Sequence, residues 1–124
     1  MMMNEKEMKQ LIAEAASDKK ESDILFIDMK NVSLVADYFI ICSGNSVPQV
    51  KAIADNIEEK LHEAGHEMIH REGYREGRWV LLDYGTCVAH VFLTEEREFY
   101  HLERLWGDAP QEVYEEEASL IWKK

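Results

Sequence analysis

The five residues His66-Glu67-Met68-Ile69-His70 match H-E-x-x-H, in which two imidazoles hold zinc and the glutamate serves as general base. That pattern works on a helix, where residues four apart stand about one turn from each other. Here it follows Gly65, a natural helix terminator, and reads as a strand. At about 3.3 Å per residue its two imidazoles would lie roughly 13 Å apart, too far to share a metal. No third ligand stands out downstream, so neither a metal nor another cofactor is expected. Cys42 and Cys87 sit in apolar runs without a neighbouring base, which raises a thiol's pKa and blunts it as a nucleophile. His90 alternates with Val88 and Phe92, the pattern of a hydrogen-bonded core histidine.

Ser43-Gly44-Asn45-Ser46 stands at a strand-to-helix junction, where backbone N–H groups could hold a phosphate. It resembles the Gly-Ser turn of nucleotidyltransferases, and a nucleotide-binding or nucleotidyltransferase-like enzyme using residues 43–46 is the alternative reading. Those enzymes need paired carboxylates on a neighbouring strand to hold Mg²⁺. Residues 67–71 offer no such pair and Asp83 stands alone, so the turn reads as an ordinary capped helix start. With no catalytic residues assigned, the chain reads as a binding protein and not an enzyme. The candidate surface is Trp79, Leu81 and Asp83, which strand alternation puts on one face. An aromatic, an aliphatic and a carboxylate together have the makeup of an anchor for a basic, partly apolar partner, although Trp79 would equally fit a core position.

These residues must be positioned by the elements around them. Asn4 and Glu7 form a capping box for a first helix carrying Met8, Leu11, Ile12 and Ala15 at helical spacing and ending near Lys19 and Lys20. Residues 23–28 and 37–43 read as buried strands, joined by a connection with one helical turn at residues 29–35. Ser46, Gln49 and Pro48 start a second helix with the apolar stripe Val50, Ile53, Ile57, Leu61 and Ala64. A weaker strand at 67–72 and a two-glycine turn lead into residues 78–84, then Gly85, then the return strand 87–93. Thr94 caps a third helix with Phe99, Leu102, Leu105 and Trp106 as its buried stripe, ended by Gly107. The order gives an α/β fold: a mixed sheet of about five strands with helices packed against it. The single domain spans residues 1–110, and residues 111–124 form an acidic tail expected to be helical.

At 124 residues the chain has room for one core, and 46% hydrophobic with 31% charged residues is a globular composition. Its two cysteines do not make a disulfide framework, and they read as buried reduced thiols. No apolar run approaches the roughly 20 residues of a membrane span, and the N-terminus lacks the apolar core of a signal peptide, so a cytoplasmic protein is expected. A net charge of −11, without clustered Lys or Arg, disfavours direct binding to nucleic acid and suits basic proteins.

Several segments together resemble one family. They are Asp37-Tyr38-Phe39-Ile40-Ile41-Cys42-Ser43-Gly44, then Trp79-Val80-Leu81-Leu82-Asp83-Tyr84-Gly85, then His90-Val91-Phe92, and finally Phe99-Tyr100-His101-Leu102-Glu103-Arg104-Leu105-Trp106-Gly107-Asp108-Ala109-Pro110. In order and spacing, roughly over residues 5–110, they resemble the ribosomal silencing factors, RsfS or Iojap. The resemblance implies a nucleotidyltransferase-like fold without the catalytic carboxylates. It also implies binding to the L-fourteen protein of the large ribosomal subunit, on the face that meets the small subunit. Subunit joining would be blocked sterically and translation lowered when nutrients are short, with no cofactor. For the contact surface it points to Trp79, Leu81 and Asp83, with Glu72 and Tyr84 as neighbours and Asp37 and Tyr38 further out. Tyr100, Leu102 and Trp106 match family positions but have core spacing. A homodimer through the same kind of sheet face is also implied.

Overall fold

The computed structural model describes residues 4–18, 24–100 and 109–114, with side chains as far as residue 98 and again from 109. Helix α1 (Glu5–Ser17) begins at the expected capping box. The Glu7 N–H donates to Asn4 Oδ1 at 2.8 Å, and the Asn4 N–H donates to Glu7 Oε1 at 3.3 Å. Helix α2 (Val47–Glu63) starts at Ser46, whose Oγ accepts from the Gln49 N–H at 3.2 Å. The Gln49 side chain does not close the expected box, because it accepts from the Asn45 N–H instead, at 2.7 Å. Gly65, with φ of +89°, lets the chain leave α2 in the left-handed conformation that a side chain disfavours. A short helix α3 (Thr94–Tyr100) follows the sheet's longest hairpin strand.

Among the described residues six strands form one sheet: β1 (Leu25–Asp28), β2 (Tyr38–Gly44), β3 (His70–Glu72), β4 (Trp79–Asp83), β5 (Cys87–Leu93) and β6 (Gln111–Val113). Their order is β3-β4-β5-β2-β1-β6, with β2 and β5 parallel and the other pairs antiparallel. The sheet is thus mixed, as expected, with one strand more than the five anticipated. The extra strand is β6, which pairs with β1 from Leu25↔Val113 to Ile27↔Gln111. Residues 111–113 therefore extend the sheet beyond residue 110 and are not helical; the rest of the expected acidic tail helix lies largely outside the described residues. The stripe expected of Phe99, Leu102, Leu105 and Trp106 also lies outside them. The weak strand expected at 67–72 shortens to His70–Glu72, although the Ile69 N–H still reaches the Asp83 carbonyl at 2.7 Å.

The larger core lies between the sheet and the two long helices. Ile40, Cys42, Val80, Leu82, Ala89 and Val91 from β2, β4 and β5 meet Ile12 and Ala16 of α1 and Ile53, Ile57 and Leu61 of α2. Each such aliphatic side chain contributes about 1.5–3 kcal/mol on burial. Asn56 ties the two helices by donating from Nδ2 to the Ala15 carbonyl at 2.8 Å. The opposite face of the sheet carries a smaller apolar cluster of Ile27, Met29, Ile41, Phe92 and Ala109, with Leu25, Phe39 and Trp79 half-buried around it.

Candidate docking face

Strand β4 alternates as the sequence demands: Val80 and Leu82 are buried toward the helices, while Trp79, Leu81 and Asp83 are half-buried on the other side. The register of the β4–β5 hairpin sets Trp79 opposite Phe92, Leu81 opposite His90 and Asp83 opposite Val88. Directly paired residues share a face, so β3 adds Glu72 beside Leu81 and His70 beside Asp83. The three principal candidates and Glu72 are therefore together.

Trp79 is both packed and partly exposed, so it is not a fully buried core residue. Its indole stacks on Phe92, with ring centroids 4.9 Å apart, and its Nε1–H donates to His90 Nδ1 at 3.1 Å. The His90 ring in turn lies 4.6 Å from that of Phe39. An indole N–H can only donate, so neutral His90 accepts on Nδ1 and carries its proton on Nε2. That Nε2 is buried and has no hydrogen-bond partner among the described residues. Burial pushes the His90 pKa down to about 4, which keeps the ring neutral at physiological pH. His90 is thus the hydrogen-bonded buried histidine its alternation suggested, and its second role is to fix the indole of Trp79. Strand alternation with Phe92 could have flagged that role, but only the cross-strand register shows it.

Asp83 closes the face. Its Oδ1 accepts from the Gly85 N–H at 2.8 Å, and its Oδ2 lies 3.5 Å from His70 Nδ1. Gly85 takes φ of +88°, and the Tyr84 N–H to Cys87 carbonyl bond of 3.0 Å completes the turn. Glu72 meets His70 Nε2 at 2.9 Å.

Three of the other candidates fall elsewhere. Tyr84 is buried on the helix side, where desolvation raises its hydroxyl pKa and Glu58 and Glu67 raise it further. It is not a neighbour of the Trp79 face, because it stands one residue beyond Asp83 and so points the other way. Tyr38 also packs on the helix side, its ring beneath Lys9 Nζ at 4.3 Å and its hydroxyl 2.7 Å from Lys30 Nζ. Asp37 lies beyond the strand end, its N–H bound to the Thr86 carbonyl at 2.7 Å.

His66 is buried and His70 lies on β3, outside any helix. No three His, Cys, Asp or Glu side chains among the described residues are grouped to hold a metal. In the turn at residues 43–46, the Gly44 carbonyl accepts from Thr94 Oγ1 at 3.1 Å, and the N–H groups of Asn45 and Gln49 are bonded to side chains of the same turn and helix. Cys42 and Cys87 are buried free thiols, and burial pushes Cys87 up to about 12. Among the described residues, no helix is long and apolar enough to cross a membrane.

This arrangement accords with what the chain resembles. Residues 2–123 match the family described as ribosomal silencing factor during starvation. The chain is 52% identical over 108 residues to the ribosomal silencing factor RsfS of Bacillus subtilis, covering 87% of this chain and 92% of that one. A crystal structure from Chromobacterium violaceum superposes with a TM-score of 0.83 at 39% identity, covering 85% of this chain and 88% of the other. A more distant relative in mouse, named mitochondrial assembly of ribosomal large subunit protein 1, is 32% identical over 87 residues, covering 68% of this chain and 38% of that protein. With its mixed six-stranded sheet, its capped helices and a match that runs nearly from end to end, the chain belongs to the RsfS family of ribosomal silencing factors.

Proposed function

We propose that this chain acts in the cytoplasm by binding the large ribosomal subunit through its L-fourteen protein and sterically blocking the joining of the small subunit, so that translation falls when nutrients are short. The observation that carries the reading is the face of β4. Trp79, Leu81 and Asp83 stand side by side and half-exposed, with the indole fixed by His90 and the carboxylate fixed by the Gly85 turn. A rigid aromatic next to a carboxylate suits a basic, partly apolar protein surface, because little side-chain freedom is lost on docking. The net charge of −11 steers the chain toward a basic protein and away from the RNA around it. The family's starvation-linked description and the mouse relative's large-subunit name both support the ribosomal direction. Occlusion needs neither a cofactor nor a bond-breaking step.

The test is sedimentation. The wild-type chain should co-migrate with free large subunits and reduce the yield of joined ribosomes when small subunits are added. Changing Trp79→Ala together with Asp83→Lys should abolish both effects while leaving a cooperative melt. Undiminished co-migration of the double variant would remove this face from the contact.

A further inference from the structure

Five large apolar side chains are exposed among the described residues, and four of them gather at one end of the sheet. Val32 is 49% exposed, Leu34 105% and Val35 74%, all on the loop between β1 and β2, and Ile69 before β3 is 66% exposed. The loop and Ile69 border the β4–β5 turn from its two sides. The Asp37 N–H is bound to the Thr86 carbonyl at 2.7 Å, and a Cβ on Gly85 would lie 3.3 Å from Ile69 Cδ1.

Exposure of this kind is unremarkable in a loose loop, but this loop is held. The Met29 N–H binds the Asp37 carbonyl at 2.8 Å and closes its base. The N–H groups of Val32 and Ser33 donate to the Met29 carbonyl at 3.0 and 2.8 Å. Ser33 Oγ accepts from the N–H groups of Val35 and Ala36 at 3.1 and 3.0 Å, and Asp28 Oδ1 accepts from the Lys30 N–H at 3.0 Å. Leu34 sits inside this bonded frame with its side chain wholly in water.

The surroundings are acidic. Asp28 ends β1, Asp37 precedes β2 and Asp83 ends β4. Of the nearby basic groups, Lys30 lies 2.7 Å from the Tyr38 hydroxyl and 3.8 Å from Asp28, and Lys9 Nζ sits 4.3 Å over the Tyr38 ring. Phosphate backbones and anionic lipid headgroups are repelled by such a rim, whereas Lys and Arg side chains are attracted.

We propose that this tip is a second contact site, which inserts Leu34 into an apolar recess of a basic protein whose cations meet Asp37 and Asp83. The inference rests on the ribosome-docking reading above and extends that surface past the Asp83 end of β4 onto the loops. A fully exposed leucine on a pre-ordered loop costs the fold nothing to keep, and it gains its full burial only when the partner arrives.

The experiment compares the full chain with its Leu34→Asp and Leu34→Met variants, titrated against purified large subunits, alongside melting curves and sedimentation velocity of each chain alone. Leu34→Asp should melt with the wild type yet bind about tenfold or more weakly, while Leu34→Met binds normally. Wild-type affinity in Leu34→Asp, with the wild-type chain itself bound, overturns the tip as a contact and leaves the β4 face standing. A Leu34→Asp change seen only in the chain's self-association also overturns it, because the tip would then meet a second copy. A wild-type chain that binds no large subunits fails the docking reading itself, and this inference with it.

Discussion

The two faces of β4 are made from the same five residues and do opposite work. Val80 and Leu82 are fully buried against α1 and α2, where packing density alone decides which side chain fits. Trp79, Leu81 and Asp83 stay half in water, and each is held by a directed contact: stacking and an N–H bond for the indole, cross-strand pairing for the leucine, a turn N–H for the carboxylate. One face stores stability and the other presents a shape. The largest effect that separates them is a truncation made at adjacent positions. Leu82→Ala should lose about 2–5 kcal/mol in urea unfolding, whereas Leu81→Ala should lose about 1 kcal/mol or less and weaken large-subunit binding instead. Equal stability losses at the two positions would erase the distinction.

His90 joins the two roles, because a buried group on the presenting face pays in stability for holding Trp79. Its folded pKa of about 4 lies below the ordinary histidine value. The unfolded chain therefore takes up a proton that the folded chain refuses, and the stability present above about pH 6.5 is lost as pH falls toward 4. The histidine contribution across that window is on the order of 3 kcal/mol. Unfolding free energies measured from pH 7 to 4 should fall more steeply for the wild type than for His90→Phe. The variant should also carry a pH-independent offset for the lost Trp79–His90 bond. Parallel curves would mean that His90 is not the group that titrates.

Much of this division was legible in the residues. Alternation along 78–84 and 87–93 assigned the faces correctly, and Asn4, Ser46 and Gly65 marked the helix ends through side-chain oxygens and a left-handed glycine. Tyr84 shows what happens when proximity in sequence is preferred to that alternation: expected beside Trp79, Leu81 and Asp83, it lies on the opposite face of the sheet. Strand β6 could not be read, because Gln111-Glu112-Val113 has no apolar alternation and owes its conformation to the open edge of β1. The Trp79–His90 bond depends on a diagonal reach between strands, which pairing fixes and composition does not. The helical turn expected at residues 29–35 has its counterpart in the Ser33 N–H to Met29 carbonyl bond, whereas the side-chain bonds of Ser33 and Asp28 that hold the loop have no signal in the spacing.

The smallest expected change in stability gives the sharpest view of the presenting face. Asp83 ends β4 beside Ile69, whose N–H donates to its carbonyl at 2.7 Å, and its Oδ1 has a structural duty to the Gly85 N–H at 2.8 Å. Asp83→Asn keeps an oxygen in that place and removes only the charge, so unfolding free energy should stay within about 0.5 kcal/mol of wild type. His70 at 3.5 Å is half-exposed, and such a pair is worth little in water. If the face works by attracting a basic protein, the loss should appear in the association rate for large subunits and in a weaker dependence of that rate on salt. Dissociation should be nearly unchanged, because Trp79 and Leu81 still provide the apolar contact. An Asp83→Asn chain that associates as fast as wild type at low salt would make the carboxylate a turn cap alone, and would leave the presenting face to its aromatic and aliphatic members.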